Sequence, residues 1–403
     1  MSSKPHRTLG SRNLSRMLAL GMVAAAPGIA SAQTRGDAAP LAWEASYTAD
    51  LSAVAAGSQT GTMFTGIGRL NADLDLAALA GWQGAQIHAQ AIASMGQRPN
   101  DLAGTLQGVN NIEVPENRAK LFEFYLEQQL AGERASLRIG FVDLNSEFYT
   151  TDASSLLIAP AFGIGSELSA TGPNGPSLFP STALAARLRL APTSNSYVQA
   201  GVFNAEAGVL GDPGGVRPLF GKGALLIGEA GYAAGEGGHK FALGAWTYTT
   251  RQPDLRALDA NGDPVPQRAY GGYVLGQLAL DKRVSLFARA GASDGRASPY
   301  LGGWQAGLMA QGFVPGRPAG QLSLGIFQGV LSNRFRANLA DAGTPARRTE
   351  TGVELTWSDQ LAPWLRLQPD VQWVRSAMRG PQVRNALVLA LRATISWSPD
   401  GSE

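Results

Sequence analysis

Leu387-Val388-Leu389-Ala390-Leu391-Arg392-Ala393-Thr394-Ile395-Ser396-Trp397, close to the end of the chain, decides the fold. Successive side chains of a strand point to opposite faces. Leu387, Leu389, Leu391, Ile395 and Trp397 share one parity, and Arg392, Thr394 and Ser396 share the other, with Val388 and Ala390 as apolar residues on the polar side. Near the opposite terminus Trp43, Ala45, Tyr47, Ala49 and Leu51 alternate in the same way with Glu44, Ser46, Thr48 and Asp50. Pairing these two end strands closes the sheet, and a closed sheet has no edge to leave unsatisfied in lipid. The pattern predicts an all-β chain, a transmembrane antiparallel β-barrel.

Composition points the same way. Of 403 residues 16% are charged and 50 are Gly, whereas soluble domains are about one quarter charged. Mean hydropathy of -0.05 is too polar for a helical membrane protein, but a barrel needs apolar residues only at every second position. Past the N-terminus no apolar run nears the roughly 20 residues of a spanning helix. Cys is absent, which removes disulfides, thiol nucleophiles and Cys-based metal sites. No metal or cofactor is expected.

Lys4, Arg7, Arg12 and Arg16 precede the apolar run Met17 to Ala26, and Ala30-Ser31-Ala32 supplies small residues before Gln33. This is the three-part pattern of a secretory signal peptide, predicted at 1–32 with cleavage near Ala32. Residues 33–403 are then one exported domain in the outer membrane. Removing the four basic residues of the leader takes the formal net charge from +2 to −2, so nothing argues for a nucleic-acid partner.

Period-two patterning predicts strands near 41–54, 60–73, 83–94, 118–130, 134–143, 182–191, 195–205, 222–235, 239–250, 269–281, 284–292, 302–313, 319–331, 347–359, 364–376 and 384–398. That makes about sixteen, the even number that bacterial barrels use. Ala131-Gly132-Glu133, Glu236-Gly237-Gly238, Asp281-Lys282-Arg283 and Pro315-Gly316-Arg317-Pro318 are tight links, while 95–117, 144–181, 206–221, 251–268 and 332–346 are long ones. Short periplasmic turns facing long extracellular loops are what insertion from the periplasm produces. Loop 144–181 is the longest, and Thr171-Gly172-Pro173-Asn174-Gly175-Pro176 forces turns within it. It is expected to fold inward and narrow the lumen. Trp43, Trp82, Trp246, Tyr248, Tyr270, Trp304, Trp357, Trp364 and Trp397 lie toward strand ends, where aromatic girdles form at the membrane surface.

Leu367-Gln368-Pro369-Asp370-Val371-Gln372-Trp373-Val374 resembles the penultimate-strand motif of the carbohydrate-selective porins, the OprB-like outer-membrane proteins. Leu137-Arg138-Ile139-Gly140-Phe141-Val142-Asp143 with Phe148, Gly201-Val202-Phe203-Asn204, Leu243-Gly244-Ala245-Trp246-Thr247-Tyr248 and Glu350-Thr351-Gly352-Val353-Glu354-Leu355 agree with it in order along the chain. The resemblance implies a barrel of sixteen strands that admits glucose-like sugars by facilitated diffusion, without energy input. Its partners would be small sugars, outer-membrane lipid and the barrel-assembly machinery during insertion, as a homotrimer or a monomer. The alternative is a general or anion-preferring diffusion pore without a sugar site.

Parity assigns the wall of such a lumen. Arg134 and Arg138 oppose Ala135, Leu137, Ile139 and Phe141, and Arg187 and Arg189 oppose Leu184, Ala186, Leu188 and Leu190 on the next strand. Together they predict a basic ladder, which either takes part in selection or pairs with nearby acids. Glu350, Glu354, Asp370 and Gln372 face inward elsewhere, as do His88 and Gln90; Glu229 is a further candidate despite sharing the parity of Leu225 and Ile227. Trp246 opposes Phe241, Leu243 and Ala245, and is either an inward stacking platform or an interface anchor. Such groups suit sugar hydroxyls and C–H patches. The mature chain holds only His88 and His239, neither in a Gly-x-Ser-x-Gly or His-Glu-x-x-His setting, so no catalytic site is expected.

Overall fold

The computed structural model describes residues 39–399 apart from 133, 210, 211, 213, 236 and 380–384. The leader expected at 1–32 lies outside the described residues. In chain order the strands are β1 (Leu41–Ala56), β2 (Gly61–Asp75), β3 (Ala85–Gly96), β4 (Ala119–Leu130), β5 (Ala135–Val142), β6 (Ala183–Thr193), β7 (Ser196–Asn204), β8 (Ala224–Ala233) and β9 (Lys240–Tyr248). There follow β10 (Gln252–Leu258), β11 (Pro264–Gln267), β12 (Tyr270–Ala279), β13 (Val284–Ser293), β14 (Tyr300–Gln311), β15 (Gln321–Leu331), β16 (Thr349–Ala362), β17 (Leu365–Arg375) and β18 (Ala386–Trp397).

All but β10 and β11 form one closed antiparallel barrel of sixteen strands. The ends meet as the terminal patterns require, with Ala45 opposite Trp397, Asp50 opposite Arg392 and Leu51 opposite Leu391. Leu51, Leu389, Leu391, Ile139, Leu188 and Leu190 are exposed on the outside, while Thr48, Asp50 and Ser52 are buried on the inside. Trp43 stands exposed near the start of β1 and Trp397 at the end of β18, and Trp82 and Trp364 stand exposed in the β2–β3 and β16–β17 connections at the same end of the barrel.

Each predicted strand has a counterpart, and the largest additions are local. Residues 251–268, expected as plain loop, contain the hairpin β10–β11, whose three prolines Pro253, Pro264 and Pro266 disguise a strand pattern. Residues 332–346 contain a helix, Asn333–Asp341, capped by Ser332, whose hydroxyl accepts from Phe335 N at 3.1 Å. Hairpin and helix lie together outside the barrel end, where Arg256 Nη1 meets Asp341 Oδ2 at 2.7 Å.

The interior is not empty. Loop 144–181 folds inward and buries Phe148, Tyr149, Leu157, Phe162, Ile164 and Leu168 almost completely. Loop 97–118, expected as an ordinary outer loop, also turns in, and Val109, Asn110, Ile112 and Glu113 are buried there. These segments explain the apolar residues on the polar side of the end strand. Ala386 and Val388 pack with Val54, Val109 and Val374 in an inner cluster. The same reason accounts for Leu225 and Ile227 on the inner face of β8, which pack with Phe148, Tyr149 and Ile164. Wall glycines admit the loop closely: a Cβ on Gly325 of β15 would stand 2.5 Å from the Phe162 ring.

Candidate functional site

Inward carboxylates of the wall hold both loops by their backbone. Glu354 on β16 accepts from Ile158 N and, at 2.8 Å, from Ala159 N. Four residues earlier on the same face, Glu350 accepts from Leu106 N at 2.9 Å and Gln107 N at 2.9 Å. Gln372 Nε2 on β17 donates to Val109 O at 2.9 Å and to Asp370 Oδ1 at 2.8 Å. Glu229 on β8 accepts from Tyr149 N at 3.1 Å, Tyr197 OH at 2.8 Å and Tyr273 OH at 2.6 Å. Loop N–H groups without helix or sheet partners need acceptors when buried, and charged acceptors make the stronger bonds. So Glu229, Glu354, Asp370 and Gln372 all take inward positions, and all are engaged with loops or neighbouring side chains.

Of the predicted basic ladder, Arg138 on β5 and Arg187 on β6 face inward and are ion-paired. Glu127 and Glu147 each bridge Arg138 and Arg187: Glu127 lies 2.6 Å from Arg138 and 3.0 Å from Arg187, and Glu147 lies 2.6 Å and 2.7 Å from the same two. Glu147 belongs to the inward loop, so this four-membered charge ring locks the loop to β4, β5 and β6. Arg189 differs, since its Nη1 donates to the carboxamide of Gln199 at 2.9 Å and its guanidinium lies 4.2 Å from the centre of the Tyr197 ring. Arg134 is exposed. Trp246 faces inward and is buried among loop and wall side chains, 6.3 Å from Tyr248 edge to face, so neither residue stands in the outer girdle. His88 Nδ1 lies 2.8 Å from Asp73 and its ring stacks on Tyr125; Gln90 donates to Asn71 at 2.5 Å.

Other groups join these. Arg289 on β13 donates to Tyr149 O at 3.0 Å, Gly163 O at 2.9 Å and Phe162 O, three carbonyls of the inward loop. Its parity opposite Leu286, Ala288 and Ala290 carried the signal. Gln277 accepts from Ala153 N at 2.9 Å and Gln368 donates to Leu156 O at 2.7 Å. Glu113 and Glu167, both in the inward loops, are pushed up to about 7 by burial. Beneath the long loop, toward the short-turn ends of β4 to β6 and β9, lies a polar cavity of about 310 Å³ lined by Arg134, Arg187, Arg189, Lys240, Glu127 and Glu147 among others.

A closed barrel narrowed from within by a pinned loop is the build of a diffusion pore. Residues 65–397 match the family of carbohydrate-selective porins, the OprB family. The chain belongs to it. It is a sugar-selective porin of the outer membrane. Among solved structures, the porin is similar to the high-pH structure of Pseudomonas putida OprB, with a TM-score of 0.78 and 20% identity over 89% of this chain and 94% of that one. The low-pH structure of the same protein gives 0.54 and 17%, with 89% and 93% covered. The outer-membrane channel DcaP of Acinetobacter baumannii gives 0.55 and 9%, with 89% and 97% covered. Identities this low speak for the fold. A comparison with curated proteins finds no match.

Proposed function

We propose that residues 33–403 act as one pore domain, once the leader is removed, and that small sugars of the glucose kind cross it by energy-independent diffusion past the inward loop and through the cavity beneath. The observation that carries this is the position of the polar cavity: it lies against the Glu127–Arg138–Glu147–Arg187 ring, where guanidinium, carboxylate and carboxamide groups face one space. Arg134, Arg187 and Arg189 line it directly, with Arg138 in the ring behind. Glu229, Glu354, Asp370, Gln372 and Trp246 act one step removed, by holding or covering the loop that sets the width. A wall of many weak contacts suits a cargo that must leave as readily as it enters. No bond of the sugar is broken in this scheme. The exposed aromatic ends meet outer-membrane lipid, insertion uses the barrel-assembly machinery, and the pore works as a monomer or a homotrimer.

Liposome swelling with a panel of mono- and disaccharides tests the reading. Swelling that saturates with monosaccharide concentration and is slower for larger sugars is expected; a strictly linear dependence would mean a plain hole with no sugar site.

A further inference from the structure

Charge is not balanced in the cavity under the long loop. Its wall carries four cations, Arg134, Arg187, Arg189 and Lys240, and two carboxylates, Glu127 and Glu147. Both carboxylates are already taken, each bridging Arg138 and Arg187 at 2.6 to 3.0 Å. Arg189 has a carboxamide and a ring as neighbours, and Lys240 Nζ donates to Thr150 Oγ1 at 2.8 Å. Among the described residues, no carboxylate stands within ion-pair distance of Arg134, Arg189 or Lys240. Two acids lie nearby outside the lining, and both have partners: Glu229 is held by Tyr149 N, Tyr197 and Tyr273, and Asp152 accepts from Gly237 N at 2.8 Å.

Unpaired cations at the edge of a partly covered space attract anions more strongly than they would in open water. The guanidinium of Arg189 offers a planar fork that fits a carboxylate or phosphate, and the ammonium of Lys240 keeps further donors free after its bond to Thr150. Neutral sugar hydroxyls can accept from the same groups, but they leave the excess charge uncompensated. We propose that this cavity prefers a monosaccharide bearing a carboxylate or a phosphate over the neutral sugar. The proposal rests on the sugar-pore reading and adds to it the charge of the favoured cargo.

Blockade of ion current by glucose, glucuronate and glucose 6-phosphate, in planar bilayers holding the purified full-length porin, decides it. Either anion is expected to block at concentrations roughly tenfold below glucose, the scale of one charge-assisted contact, and the larger ratio identifies the anionic group preferred. The pair Arg189→Gln with Lys240→Gln should bring that ratio close to one, whereas Arg189→Lys with Lys240→Arg should keep it; Lys240→Gln alone serves if the first pair fails to insert. Raising the salt concentration should shrink the preference. An anion-to-glucose ratio near one in the unaltered porin, or a ratio untouched by the Gln variants, overturns the proposal. Failure of glucose to swell liposomes at all would instead sink the sugar-pore reading, so the two can fail separately.

Discussion

Arg392 on the last strand donates two hydrogen bonds to Asp50 on the first, Nε to Oδ1 at 2.8 Å and Nη2 to Oδ2 at 2.7 Å, and so fastens the seam where the barrel meets its own beginning. The pair also anchors loop 97–118, because Asn110 Nδ2 donates to Asp50 Oδ2 at 2.7 Å and Arg392 Nη2 donates to Asn111 Oδ1 at 2.7 Å. Removing one partner leaves a buried charge unmatched, which costs about 3–5 kcal/mol. Asp50→Ala is therefore expected to lower the temperature at which the heat-modifiable barrel band is lost on gel electrophoresis. Exchanging both residues for apolar ones of similar size should cost less than the single change; an equal loss in both would show that the seam does not depend on the pair.

Glu354 accepts two loop N–H groups at Ile158 and Ala159. Glu354→Ala strands both, at about 1–3 kcal/mol for each unsatisfied group. Single-channel conductance should rise and become noisier as this part of loop 144–181 leaves the wall, with barrel insertion retained. Unchanged conductance would remove Glu354 from control of the width.

Glu147 is the loop's contribution to the four-membered charge ring, 2.6 Å from Arg138 and 2.7 Å from Arg187. With Glu147→Gln the two arginines share only Glu127, so one positive charge is uncovered beside the cavity. Reversal potentials across a KCl gradient should move toward anion selectivity, by an amount that fades as salt is raised. A shift toward cations would contradict this account of the ring.

Glu113 and Glu167 give the packed loops a pH dependence. Burial pushes each carboxyl up from 4.5 to about 7. Below about 4.5 the carboxyls are protonated whether the loops are packed or free, and the penalty is absent. Between 4.5 and 7 a free loop ionises while a packed one keeps its proton, so the packed state loses ground as pH rises; above about 7 the loss is complete. Conductance or protease access to the loops should increase from pH 5 to pH 8, and Glu113→Gln with Glu167→Gln should flatten the curve. A rise in conductance on acidification would reverse the sign and refute the assignment.

Gly325 admits the Phe162 ring at van der Waals range, and a side chain there has no room. Gly325→Val is expected to displace Phe162 and the loop with it, giving a larger conductance at nearly unchanged barrel stability. Gly228, whose added Cβ would meet only a backbone oxygen at 3.8 Å, is the control position.

Parity alone put Arg138, Arg187, Glu350, Glu354, Asp370 and Gln372 on the inner face, because a wall between lipid and polar interior imposes one rule on every strand. It also paired the first strand with the last, since both ends had to close on each other, but the register that sets Asp50 opposite Arg392 came only with the fold. Parity could not say that Arg138 and Arg187 would be neutralised, because Glu147 comes from a loop with no period to read. Leu225, Ile227 and Val388 looked like exceptions for the same cause: their inner face meets folded chain where water was expected. Trp246 had two readings in sequence, and only the loop covering it settled which side it serves.

The order of residues thus determined the barrel, its strand number, its seam and its inside and outside, since each follows from a local alternation repeated against a fixed solvent boundary. Which segments fold across the lumen, what holds them there, and which arginines are ion-paired were decided by tertiary structure. Those relationships join residues as distant as Leu106 and Glu350 or Ala159 and Glu354, and no pattern of neighbours along a strand can specify where an aperiodic loop comes to rest.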